Sequence, residues 1–129
     1  MEETILSNGI INRPSPYGVA ETMDKLETVI RLSGMKVFAR IDQQAEGKSC
    51  GVEMRPAQIL IFGDPRVGST LMNSYPSIAI DLPLKAAVWE AADGKIWLSY
   101  NSPSYIKQRH RLPDEPFKLL EDLIDRALV

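Results

Sequence analysis

The sequence predicts an α+β fold: a single mixed β-sheet with helices packed mainly on one face, containing a β-hairpin turning at Asp93-Gly94. Three observations predict it. Short β-branched or alternating segments recur at Ile10-Ile11, Lys36–Ile41, Ala57–Phe62 and Ser77–Asp81. Two longer segments, Val19–Ser33 and Phe117–Leu128, switch to helical spacing. Between Lys85 and Asn101, two apolar runs flank Asp93-Gly94, a pair suited to a turn in which both positions tolerate positive φ.

The elements follow in order. Ile10-Ile11 follows Asn8-Gly9 as a strand running toward Arg13, with Pro14 and Pro16 expected to end it. In the first helix Val19, Met23, Leu26 and Ile30 make the core stripe. Glu21 with Lys25 and Glu27 with Arg31 form i,i+4 pairs in the favourable order, and Gly34 is the stop. Lys36–Ile41 alternates, with Val37, Ala39 and Ile41 expected on one face and Lys36, Phe38 and Arg40 on the other. Gln43–Cys50 reads as a short helix weakened by Gly47. Ala57–Phe62 is apolar on both faces, as a central strand would be. A glycine-rich turn is expected through Ser69, one helical turn at Thr70–Ser74, then a strand Ser77–Asp81 ended by Pro83. With Asp93 and Gly94 alone as the hairpin loop, Trp89 faces Leu98 and Ala87 faces Tyr100, and Val88, Glu90, Trp97 and Ser99 point to the opposite side. Ser102-Pro103 is an N-cap followed by the residue favoured at the first helical position. That helix ends in Lys107, Arg109, His110 and Arg111, and the last carries Phe117, Leu120, Ile124 and Leu128.

Length and composition restrict function. At 129 residues the chain is one domain, residues 1–129. Fifteen Lys and Arg against seventeen Asp and Glu leave a net charge of −2, which gives no basic surplus for nucleic acid. One cysteine, Cys50, and one histidine, His110, exclude a disulfide within the chain and a Cys/His zinc site, so no metal and no cofactor is expected. The longest uncharged stretch, Val67–Ile80, contains Ser, Thr, Asn and Pro and falls short of a membrane span. The acidic start, Met-Glu-Glu, does not read as a secretory leader, so a cytoplasmic location is expected.

Several residues could carry chemistry. Gly63-Asp-Pro-Arg-Val-Gly68-Ser69-Thr70 imitates the spacing of a phosphate-binding loop, but Ser69 stands where the lysine belongs and Pro65 removes a backbone donor. A structural turn explains it better, with a weaker version in which the loop offers N–H groups to a small anion near Arg66. His110 is the one side chain suited to acid–base work near neutrality, set against a solvated basic helix end. Cys50 has no local partner and reads as a small hydrophobe. Asp42 and Asp81 end strands, where carboxylates either work or cap turns. Trp89, Trp97 and Tyr100 read as packing residues of the hairpin.

A set of motifs in one order resembles the domain of unknown function 302 family. They are Ser15-Pro-Tyr-Gly-Val-Ala-Glu-Thr-Met-Asp-Lys-Leu26, Val37–Asp42, Ile61-Phe-Gly-Asp-Pro65 with Gly68 and Thr70–Met72, and Ala79–Pro83. Asp93-Gly94 with Trp97, Tyr100–Pro103 and Arg109-His110 complete the series, so the resemblance covers nearly the whole chain. It implies a small bacterial or archaeal α+β domain, often dimeric, with no established activity. Two positions depart from the family pattern: Gln43 stands where a histidine is common, and Asp64 where an asparagine is common. If the family chemistry used that histidine, this member has lost it.

Three functions are weighed on these grounds. The leading one is a dimeric domain binding a small polar or anionic ligand through Asp42, Gly63, Asp64, Gly68, Thr70 and His110. The first alternative is an acid–base enzyme using Asp42 or Asp81 with His110. The second is a protein-interaction module using its open sheet face. A homodimer through Phe38, Val88 and Trp97 is expected, because the helices leave one sheet face uncovered.

Overall fold

The computed structural model describes residues 4–5 and 8–129. Its sheet has six strands in the order β1-β2-β6-β5-β4-β3. These are β1 (Thr4–Ile5), β2 (Ile10–Ser15), β3 (Lys36–Asp42), β4 (Ala57–Gly63), β5 (Leu84–Glu90) and β6 (Ile96–Asn101). The helices are α1 (Val19–Leu32), α2 (Gln43–Ser49), α3 (Pro65–Ser74), α4 (Pro103–His110) and α5 (Leu120–Leu128), with a 3₁₀ helix at Pro76–Ile80. The α+β class and the hairpin around Asp93-Gly94 match expectation. Every strand pair is antiparallel, however, where a mixed sheet was expected. The cause is the expected strand Ser77–Asp81: Ser77–Ile80 belong to the 3₁₀ helix Pro76–Ile80 and Asp81 caps its end, so the segment adds no strand and β4 returns directly to β5.

α1 forms where its apolar stripe predicts, and Val19, Met23, Leu26 and Ile30 are all buried. It packs with α5 on the sheet face that carries Ile11, Leu60, Phe62, Leu84, Ala86, Val88, Leu98 and Tyr100. Each such fully buried aliphatic or aromatic side chain contributes about 2 kcal/mol by leaving water. Arg13 is buried on this face and is held by Asp125 of α5 at 2.7 Å. β2 continues through Pro14 to Ser15, past its expected stop. Among the described residues β1 pairs with Ile11 and Asn12, and Pro14 lies opposite Trp97 of β6.

The hairpin corrects the expected register by one residue. Ala91 N–H bonds the Lys95 carbonyl and Gly94, at φ +85°, closes a three-residue loop. Trp89 therefore opposes Trp97, Val88 opposes Leu98 and Ala86 opposes Tyr100. Because side chains alternate, the slip moves Val88 and Leu98 together into the core, where both are fully buried. Val88 is thus no part of an open face. Trp89 and Trp97 lie together on the uncovered side, rings 6.5 Å apart and stacked. A bulge between Val37 and Ala39 also breaks the expected alternation of β3. Val37 packs toward the core and Phe38 is 44% exposed, both as expected. Beyond the bulge Ala39 and Ile41 pair with Ile61 and Ile59 on the uncovered side, and Arg40, opposite the buried Leu60, reaches Asp24 and Glu27 of α1.

Candidate functional site

Antiparallel pairing gathers the C-terminus of β4, the start of β5 and the end of β6 at one end of the sheet. α3 and α4 leave the sheet there, and with the 3₁₀ helix they enclose a small second core of Ile78, Ile106 and Leu112. Two features of this end could do chemistry.

The first is a cavity of about 330 Å³ beside the start of α3. Its floor is Gly63, its sides are Asp64, Gly68, Ser69 and Met72 together with Leu82 and Leu84, and Phe38 and Phe117 stand at its rim. The local sequence explains the shape. Asp64 is an N-cap whose Oδ1 accepts the Arg66 N–H at 2.9 Å, and Pro65 sits at the first helical position. The stretch expected as a turn is thus the first turn of a helix running to Ser74, and Gly68 lies inside it. Glycine at 68 keeps the wall thin: a Cβ there would come no closer than 3.9 Å to Leu82 and Met72. Phe117, at φ +59°, starts α5 later than its apolar spacing predicts and turns the chain toward this wall.

This geometry argues against an anion. Pro65 brings no N–H, the Arg66 N–H is taken by Asp64 and the Gly68 N–H bonds the Asp64 carbonyl. The helix end that could attract an anion already holds the Asp64 carboxylate. Most of the lining is carbon.

The second feature is a side-chain cluster joining α4 to the 3₁₀ helix. His110 Nε2 lies 2.5 Å from Asp81 Oδ2, and Arg109 Nη1 reaches the same carboxylate at 3.1 and 3.3 Å. The other ring nitrogen, Nδ1, faces Ser77 Oγ at 3.4 Å. The imidazole and carboxylate are 5% and 11% exposed, whereas Ser77 is open to solvent. Ser102 caps α4 as expected, its Oγ accepting the Tyr105 N–H at 3.3 Å.

The six residues expected to form one site are therefore dispersed. Gly63, Asp64 and Gly68 share the cavity. Thr70 faces away: its hydroxyl donates to the Arg66 carbonyl, and it lines an open groove with Leu71, Tyr75 and Leu112. His110 pairs with Asp81 on the neighbouring helix. Asp42 could meet the Gly63 loop only if β3 and β4 were parallel. They are antiparallel, with Lys36 opposite Gly63 and Asp42 opposite Gln58, which puts Asp42 roughly 20 Å along the strand. There it caps α2, its Oδ1 accepting the Ala45 N–H at 3.0 Å. Ser77, Leu82 and Phe117 were not among the expected site residues. Tyr75-Pro76 and Pro83, bracketing the segment, were the available signal that it turns instead of extending. Among the described residues no three His, Cys, Asp or Glu side chains converge as metal ligands would.

Comparison with known proteins fits this architecture. The crystal structure of an uncharacterized conserved protein DUF302 from Bacillus stearothermophilus superposes with a TM-score of 0.71 at 18% identity, covering 92% of this chain and 87% of that one. Over 109 residues the chain is 38% identical to the fluoride-specific ion channel FluC 1 of Brucella suis biovar 1 and to FluC 2 of Brucella melitensis biotype 1. Those matches cover 84% of this chain but 43% and 40% of the relatives, so the chain spans about two-fifths of their length. No helix among the described residues is long and apolar enough to cross a membrane. The family model for the domain of unknown function DUF302 matches residues 11–128, and the chain belongs to that family.

Proposed function

We propose that this chain is a ligand-binding domain of the cytoplasm, whose cavity beside α3 takes a small molecule with an apolar body and a hydroxyl or amino donor. The cavity carries the proposal. Its volume of about 330 Å³ is at the small end of ligand sites, and its walls are largely carbon. Asp64, one of whose oxygens caps α3, and Ser69 are the polar side chains of the lining. A carboxylate favours a donor and repels an anion, so the small polar or anionic ligand expected from the loop is narrowed to a donor. Fluoride conduction, named for the Brucella relatives, has no counterpart in such a cavity.

Three probes with one body and different tips test this: benzylamine, benzyl alcohol and benzoate. Titration followed by ¹H–¹⁵N spectra should shift the amides of Gly63, Gly68 and Leu84 with the amine and the alcohol, and much less with benzoate. Gly68→Leu, which has room for its Cβ and fills the cavity, should fold and abolish the shifts. No shifts with any probe, or shifts that persist in Gly68→Leu, would refute the cavity; a preference for benzoate would restore the anion.

A second reading rests on the uncovered sheet face. Trp89 and Trp97 stack there, and the alternation of β4 puts Ile59 and Ile61 on the same side. A homodimer formed through this face would cover them, now with Trp97 and Trp89 at its centre in place of Val88. Sedimentation should show a dimer at micromolar concentration and Trp97→Glu a monomer. A monomeric parent protein removes the reading.

A further inference from the structure

The cluster joining α4 to the 3₁₀ helix has the order of groups that activates a hydroxyl. Asp81 accepts only, so the short contact at 2.5 Å requires the proton on His110 Nε2. In the neutral ring the lone pair then resides on Nδ1, and Nδ1 faces the Ser77 hydroxyl. The serine–imidazole–carboxylate relation depends on which nitrogen is protonated, not on its label, so the exchange of Nδ1 and Nε2 relative to the best-known triads does not change the roles. At 3.4 Å the Ser77 contact is long, as such contacts often are before substrate tightens them. Burial suits the arrangement: imidazole and carboxylate are shielded, and the hydroxyl they would activate is exposed. Nothing about the cavity beside α3 is needed for it.

We infer that Ser77 is a nucleophile, with His110 as its general base and Asp81 orienting the imidazole, and that it takes acyl or phosphonyl groups from small activated esters. In the acyl step the Ser77 Oγ–carbon bond forms and the carbon–leaving-group bond breaks. The Oγ proton passes to His110 Nδ1 and from there to the departing alkoxide. Water attacks the acyl-serine in the reverse sense, its proton again taken at Nδ1, and restores the hydroxyl. Arg109 lies on the Asp81 carboxylate and offsets part of its stabilisation of the imidazolium, so the nucleophile is a slow one.

A fluorophosphonate tests the inference without knowledge of the natural ester. Oγ bonds phosphorus, fluoride leaves, and the proton goes by way of Nδ1 to solvent. Intact-mass analysis should show a single adduct, mapped by peptide sequencing to Ser77 and absent in Ser77→Ala. His110→Gln should slow labelling by about a hundredfold, the lower range of a general base's contribution. Protein unfolded in urea should label no faster at Ser77 than at its other serines, which keeps the test decisive if His110→Gln does not fold. Absence of an adduct on the folded protein overturns the inference, as does labelling that is as fast in urea or in folded His110→Gln.

Discussion

The two hydrophobic cores of this molecule are built differently, and the difference locates the chemistry. The larger lies between α1, α5 and the sheet, closed by interleaved side chains such as Leu26, Phe62, Leu98 and Ile124. Apart from Arg13 and Thr22, its buried positions are almost all apolar. The smaller has three fully or nearly buried side chains, Ile78, Ile106 and Leu112, bounded by partly exposed neighbours. Both candidate sites, the cavity beside α3 and the Ser77–His110–Asp81 cluster, adjoin this thin core. A packed core leaves neither space for a ligand nor water for a polar group, so sites collect where packing is incomplete.

The comparison breaks most directly by truncation. Leu98→Ala should cost about 3 kcal/mol in urea denaturation, because the tightly packed site cannot collapse onto the missing carbons. Ile106→Ala should cost less, and its main effect should be faster amide exchange across Pro103–His110 with the sheet amides unchanged. Equal losses with uniform exchange would mean the two cores unfold as one and erase the distinction.

A smaller effect sharpens the separation between the ends of the sheet. Asp42→Ala should cost about 1 kcal/mol through loss of the α2 cap, measured by thermal unfolding. Benzylamine-induced shifts at Gly68 should be unchanged in this variant. Loss of those shifts would tie Asp42 to the cavity after all.

The smallest effect concerns the surface of the larger core. The hydrogen bond from Arg31 holds the Glu27 carboxyl below its ordinary range, against the opposing effect of desolvation, and Arg40 adds to the lowering. A lowered carboxyl stabilises the fold fully above its unfolded value and loses that contribution as pH falls through the folded one. The stability difference between the parent protein and Glu27→Gln should therefore be present at neutral pH and shrink from about pH 5 downward. A difference independent of pH would assign the effect to packing.

Local rules were legible where neighbours along the chain decide the outcome. The α1 stripe and the Ser102-Pro103 cap each depend on residues within a few positions, and each formed where the sequence places it; the hairpin turns around Asp93-Gly94, but with a loop one residue longer. Val88 shows the limit. Its environment depends on whether the hairpin loop has two residues or three, since one residue exchanges the two faces. Ala39, Arg40 and Ile41 show it again: they exchange faces beyond the bulge, and a bulge is a property of two paired strands with no signature in one.

The sequence by itself determined the α+β class, the main helix, the hairpin and the family, since these depend on periodicity and ordered motifs. Only the tertiary structure decided which residues meet. Antiparallel pairing of β3 with β4 sent Asp42 to the far end of the sheet from Gly63, and the 3₁₀ turn at Pro76–Ile80 brought Asp81 to His110, 29 residues away. Such encounters are set by strand direction and helix packing summed over the whole chain, and no short stretch of sequence contains them.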